Sequence, residues 1–163
     1  MSAYVMLYIR NTKKDAFCEV ENWSRSTRGY NILTDYVGYG QAKKLDNEKV
    51  YEIFNDCRME IVGLEASNKQ YEVRIQDTKE IVGMDANDKI QDIEDFRSYI
   101  ADNNREIQEI NDVMNVLNVI SKTVRYSESY EIWLAHEWDL AEESAASIAA
   151  EYERRAKNNG LPF

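Results

Sequence analysis

Two runs of side chains spaced alternately four and three apart constrain this chain more than any other feature. The first is Val50, Phe54, Cys57, Ile61, Leu64, Asn68, Tyr71, Ile75, Thr78 and Val82. The second is Ile93, Phe96, Ile100, Asn103, Ile107, Ile110, Met114, Leu117, Ser121 and Val124. Such spacing gathers apolar groups into one seam along a long helix. Between the runs lies Gly83-Met84-Asp85-Ala86-Asn87, a helix stop followed by helix-starting side chains. Folding the chain there sets Leu64 against Ile107, Ile61 against Ile110 and Phe54 against Leu117. It also sets Asn68 against Asn103. A buried amide tolerates only a polar partner, so this layer is expected to fix the register of the two arms.

A competing reading makes strands of Ile61–Leu64, Tyr71–Ile75 and Ile81–Met84, with Gly63 in its favour because glycine weakens a helix by roughly 1 kcal/mol. A meander gives no reason for ten matched seam positions, so helices are preferred. Near the open end, Tyr51, Ile53, Met59, Val113, Val116, Val119 and Ile120 widen the apolar arc. A wide arc packs on several neighbours and a narrow one on a single neighbour. The open end is therefore expected to be core, and the turn end a projecting stalk.

Residues 1–45 read as a separate small unit. Ala3–Arg10 and Ala16–Trp23 alternate as strands about the polar loop Asn11–Asp15, with Phe17, Glu19, Glu21 and Trp23 expected on one face. A short helix capped by Ser24 or Ser26 follows, carrying Tyr30, Leu33 and Val37, and Gly38-Tyr39-Gly40 ends it. Gln41–Leu45 is expected to be an edge strand guarded by Lys43 and Lys44. Beyond Arg125, Ser127 or Ser129 is expected to begin a last helix on which Leu134, Trp138, Ala141, Ala145, Ile148 and Tyr152 share a face.

The expected fold class is thus α+β, mainly α. A small N-terminal β-hairpin and helix unit (1–45) packs on a long antiparallel coiled-coil helical hairpin (46–125). A C-terminal helix and tail (126–163) complete a local three-helix bundle at the open end.

Charge is divided between these parts. Residues 1–45 carry seven Lys or Arg against four Asp or Glu, and the remainder thirteen against twenty-six. A basic head on an acidic body disfavours non-specific binding of nucleic acid or anionic membrane by the body. No apolar run approaches the ~20 residues of a membrane span, and the N-terminus lacks a signal-peptide pattern, so a cytoplasmic protein is expected. Cys18 and Cys57 form no ligand-like motif and no disulfide framework.

The chemistry-bearing residues are few. His136 is the single histidine, and the position that would complete a zinc-protease motif is Leu140. No nucleophile elbow, Gly-rich nucleotide loop or Cys-x-x-Cys occurs. No catalytic, cofactor-binding or metal residues are assigned, and no cofactor is expected. Arg25, Ser26 and Arg28 at a helix start form a candidate anion site. Met84, Asp85, Asp88, Asp92 and Asp95 near the turn, with Trp133 and Trp138, form a candidate protein-binding surface.

The expected function is that of a non-enzymatic protein-binding adaptor or inhibitor working through the acidic hairpin, with a homodimer as one form of partner. The alternative is an inhibitor whose acidic rows imitate a nucleic-acid backbone and occupy a basic cleft. A weaker one is single-strand binding on the aromatics and cations of the head.

Overall fold

The computed structural model describes residues 3–14, 16–38, 42–125 and 127–137. The chain is mainly helical, with a small antiparallel four-stranded sheet and, among the described residues, three helices. In chain order these are β1 (Tyr4–Asn11), β2 (Ala16–Ser24), α1 (Arg28–Thr34), β3 (Lys43–Leu45), α2 (Asn47–Glu80), α3 (Ala86–Val124) and β4 (Tyr130–His136). The sheet order is β2-β1-β4-β3. No helix is long and apolar enough to cross a membrane.

The β1–β2 loop is held by Asn11, whose Oδ1 accepts from the backbone amides of Lys13 and Lys14 at 3.0 and 3.2 Å. The two strands do not stay in step. Leu7 faces Glu21 but Tyr8 faces Glu19, so Val20 is an extra residue in β2. One inserted residue exchanges the faces of everything beyond it. Trp23 therefore lies opposite Val5 on the helix-facing side, while Phe17 lies opposite Arg10 on the other. The expected single face of Phe17, Glu19, Glu21 and Trp23 is split in two by this bulge.

The last strand corrects a second expectation. Residues 130–136 are not the start of a helix but the strand between β1 and β3. Ile132 and Leu134 enter the main core with Val5 and Leu7. Trp133 and Ala135 are buried too, at 2% and 1% exposure. A strand covered on both faces loses its alternation and reads as a plain apolar run. That run accidentally satisfies helical spacing through Leu134 and Trp138. The remainder of the expected helix, and Trp138 itself, lie outside the described residues.

Helix α1 is capped by Thr27, not by Ser24 or Ser26; its hydroxyl accepts from the Tyr30 amide. Tyr30, Ile32, Leu33 and Val37 turn inward. Gly29 makes this possible, because a Cβ there would lie 2.7 Å from Trp23 Cδ1 and 2.8 Å from Val113 Cγ2. Only hydrogen lets α1 approach α3 so closely.

Helix α2 is continuous, so the meander is excluded. Asp46 caps it by accepting from the Lys49 amide at 2.8 Å. It ends at Ile81, and Gly83 turns the chain at φ +88°, a region costly for any other residue. Asp85 then caps α3 by accepting from Asn87 N at 3.1 Å. The helices run back along each other, with Tyr71 stacked on Phe96 at 6.0 Å and Asn103 bonded to Asn68 at 2.9 Å. The first seam stops earlier than its spacing predicts: Thr78 is buried, whereas Val82 lies beyond the helix at 97% exposure.

Burial is concentrated at one end of this pair. Val50, Ile53 and Cys57 of α2 and Ile110, Val113, Leu117 and Ile120 of α3 join the sheet and α1 in one core. Each such side chain contributes on the order of 1.5–3 kcal/mol before ordering costs. Tyr51, Met59 and Val119, also expected there, stay exposed.

Candidate functional site

The end of the hairpin away from the core offers the most accessible large apolar group among the described residues. Val82 is 97% exposed, with Ile81 at 46% and Ile90 at 55%. Met84 is half-buried in the same turn. Hydrogen bonds flank the turn: Ile81 N donates to Thr78 O, Lys89 N to Asp85 O, and Lys89 Nζ reaches across to Lys79 O at 3.4 Å. Asp85 and Asp88 are exposed and Asp92 half-buried around these side chains. Asp95, one turn further on, accepts from Gln91 Nε2 at 2.9 Å. The apex is thus an apolar tip with an acidic rim. Of the residues singled out from the sequence, Met84, Asp85, Asp88 and Asp92 come together here. Ile81, Val82 and Ile90 were not expected here, Val82 being read as the last seam residue, although two consecutive apolar residues directly before Gly83 were a visible signal.

Trp133 is elsewhere and inaccessible. It packs edge-on against Phe17 at 5.7 Å, on the sheet face opposite the helices. As a partner-binding residue it is therefore withdrawn.

The candidate anion site is filled from within. The Arg28 amide, at the start of α1, donates to Glu109 Oε2 at 2.7 Å. The Arg28 guanidinium lies 2.5 Å from Glu60 Oε2. Ser26 Oγ pairs with Ser24 Oγ at 3.2 Å, and Arg25 is exposed. Carboxylates from α2 and α3 thus occupy the place a phosphate would take. Glu60 and Glu109 gave no sign of this in the sequence because their reach depends on tertiary packing.

The aromatic and basic residues of the head are mostly used in packing. Trp23 and Tyr30 are buried, Tyr8, Phe17 and Trp133 interlock edge-on, and Arg10, 1% exposed, lies 5.9 Å over Phe17. Arg10 and Lys44 both bind Glu131, at 2.8 and 2.6 Å. Burial pushes the Glu131 carboxyl up, but the hydrogen bonds from Lys44 and Arg10 outweigh it and the net shift is downward. Burial, then the Glu19 and Glu137 carboxylates, push the Tyr8 phenol up to about 12. Negative neighbours of this kind weigh against a platform for phosphates.

His136 is a core residue, 1% exposed, near Thr34 Oγ1 at 3.3 Å and edge-on to Tyr30. Among the described residues no three His, Cys, Asp or Glu side chains gather as a metal site. Cys57 is buried and Cys18 exposed, both free thiols. Burial, followed by Glu60 and Asp56, raises the Cys57 thiol to about 12.

A cleft of about 400 Å³ separates β2 from α3, lined by Glu21, Trp23, Glu109 and Asp112 among others. Asn68 and Asn103 sit mid-stalk, where Asn103 also donates to Ser67 Oγ at 3.3 Å and Asn68 to Asn104 Oδ1 at 2.9 Å. No family model, curated protein or solved structure matches the chain.

Proposed function

We propose that the chain is a non-enzymatic protein-binding factor, an adaptor or inhibitor, that presents the apex of the α2–α3 hairpin to a protein partner. One observation carries this reading. Val82 stands at 97% exposure on a turn between two capped helix ends, flanked by Ile81 and Ile90. An apolar group exposed in water gains free energy when a partner covers it. Its acidic rim suits a partner with an apolar pocket bordered by Lys or Arg. The stalk, stiffened by the Asn68–Asn103 layer, holds that tip away from the base.

Nucleic-acid mimicry is less well supported. Helix α2 carries eight acidic against five basic side chains and α3 eight against four, so both signs are interspersed along the stalk. A phosphate-like row needs a more uniform field.

The test is a photo-crosslinking side chain at Val82, with Asn118 at the base of α3 as control, in whole-cell extract. Discrete adducts from position 82 alone should appear, and should vanish in Ile81→Asp/Ile90→Asp protein of unchanged circular dichroism. No adduct, or equal adducts from position 118, overturns the proposal.

A further inference from the structure

The cleft between β2 and α3 has an acidic lining with no counter-charge. Its volume, about 400 Å³, lies within the range of small-ligand sites. Glu21 lines it from β2 and Glu109 and Asp112 from α3, and no Lys or Arg joins them. The Val20 bulge turns Glu21 this way. Beyond it, Glu21 and Trp23 lie opposite Leu7 and Val5, on the helix-facing side of the sheet. Glu109, Asp112 and Val116 are three and four apart, so one face of α3 presents them together. Among the described residues each carboxylate accepts from neutral donors alone. Glu21 takes Asn22 N at 3.0 Å, Glu109 takes Arg28 N at 2.7 Å, and Asp112 takes Gln108 Nε2 at 3.0 Å. None of the three has an ion-pair partner there, and the Arg28 guanidinium goes to Glu60 instead.

Acidic groups alone would be an ordinary solvated surface. The indole of Trp23 sets this cleft apart. Trp23 is 7% exposed, yet among the described residues its N–H has no hydrogen-bond acceptor. A buried Trp N–H usually finds a partner, and leaving it without one is costly. Its pyrrole edge faces the start of α1, where a Cβ on Gly29 would lie 3.2 Å from Nε1. Thr27, beside that point, is part of the cleft wall, and the N–H is not sealed off from the cleft. The donor is thus within reach of an acceptor bound there.

The lining therefore asks for two things in one ligand. Carboxylates from both walls call for a cation, and the indole N–H calls for an acceptor. That acceptor must be neutral, since an anion would be repelled by Glu21, Glu109 and Asp112. Val116 and the Trp23 ring suit an apolar stem between the two ends. An arginine residue within a peptide carries all three parts: a guanidinium, an alkyl stem and a backbone carbonyl. Its planar fork meets carboxylates bidentately, whereas an ammonium is only a point charge. We propose that the cleft binds an arginine side chain of a partner polypeptide. The guanidinium lies at Glu21 and Asp112, and a carbonyl of the same peptide accepts from Trp23 Nε1.

The site is independent of the apex, since the cleft belongs to the base and Val82 to the far end of the stalk. The probe is acetyl-Gly-Arg-Gly-amide, titrated into the isotope-labelled full chain. The indole N–H resonance of Trp23, assigned with Trp23→Phe, should move and saturate, and added salt should weaken the binding. The same peptide with citrulline for arginine keeps the shape without the charge, and should bind about tenfold more weakly or worse. Glu21→Gln/Asp112→Asn, with unchanged circular dichroism, should lose a similar factor. Putrescine, a free diamine with no acceptor, should bind more weakly than the peptide and leave the Trp23 resonance nearly in place. An unmoved Trp23 resonance, equal binding of the citrulline peptide, or full binding by the double variant overturns the proposal. Putrescine binding as tightly as the peptide overturns it too, by making this a site for free amines.

Discussion

Asn103 donates its side-chain amide to Asn68 Oδ1 at 2.9 Å, across the middle of two helices otherwise joined by apolar contacts. The bond is half-buried, Asn103 Nδ2 donates further to Ser67 Oγ, and Asn68 Nδ2 donates to Asn104 Oδ1. Replacing Asn68 by Leu removes one partner only, so Asn103 keeps its desolvation without that bond. Chemical denaturation should show a loss of about 1–3 kcal/mol, and Asn68→Leu/Asn103→Leu should recover most of it. An unchanged midpoint for the single variant would show that the amides do not set the register.

Two glycines should respond in opposite directions to the same methyl group. Gly63 sits within α2 with open space at its Cβ position. Gly63→Ala should stabilise by about 1 kcal/mol through helix propensity. Gly29→Ala should destabilise by about 1–3 kcal/mol, since the methyl would press on Trp23 and Val113. Thermal melts of the two variants give the comparison directly.

Glu131 should give the molecule part of its acid sensitivity. Its folded-state pKa is depressed, so its stabilisation is complete above the unfolded carboxylate pKa. It is then lost as pH falls through the lower folded value. Glu131→Gln should flatten the acid limb of a stability–pH profile. At neutral pH it should cost about 3 kcal/mol, because Arg10 stays charged and buried. A parallel acid limb in that variant would place the sensitivity elsewhere.

The two thiols should differ in reactivity. Cys18 is exposed, and Cys57 is buried with its thiol pushed up to about 12. At pH 8 a thiol reagent should modify Cys18 promptly and Cys57 only at the rate of unfolding. Rapid modification of both would show that the base of α2 opens easily.

The parts of the fold legible in the sequence were those where one face of an element is covered and the other is not. The seams of α2 and α3 repeat such contrasts many times, and Gly83 and Asp85 mark the turn by their backbone chemistry. β4 hid because Ile132, Trp133, Leu134 and Ala135 are buried on both faces, which erases the period of two. The Val20 bulge hid because one extra residue leaves no compositional mark. Tyr51, Met59 and Val119 lie near the base yet stay exposed, because nearness to a core does not by itself bury a side chain. The apex was partly readable from Met84 and its aspartates. The filled anion site was not, since Glu60 and Glu109 arrive from residues far along the chain.

The position of β4 also sets a timetable for synthesis. β1, β2, α1 and β3 leave the ribosome early, but the strand that joins β1 to β3 follows roughly 80 residues later, about 4–16 s at ordinary elongation rates. Through that interval β1 lacks its inner neighbour, and the hydrogen-bonding edge beside Val5, Leu7 and Ile9 is open. The α2–α3 pair, by contrast, needs only its own two arms and can zip from its turn as α3 emerges, its open end closing last because Val124 precedes Tyr130 by only six residues. The nascent chain therefore carries a stalk before it has a base, and an unpaired strand that chaperones or a neighbouring nascent chain can reach until His136 emerges.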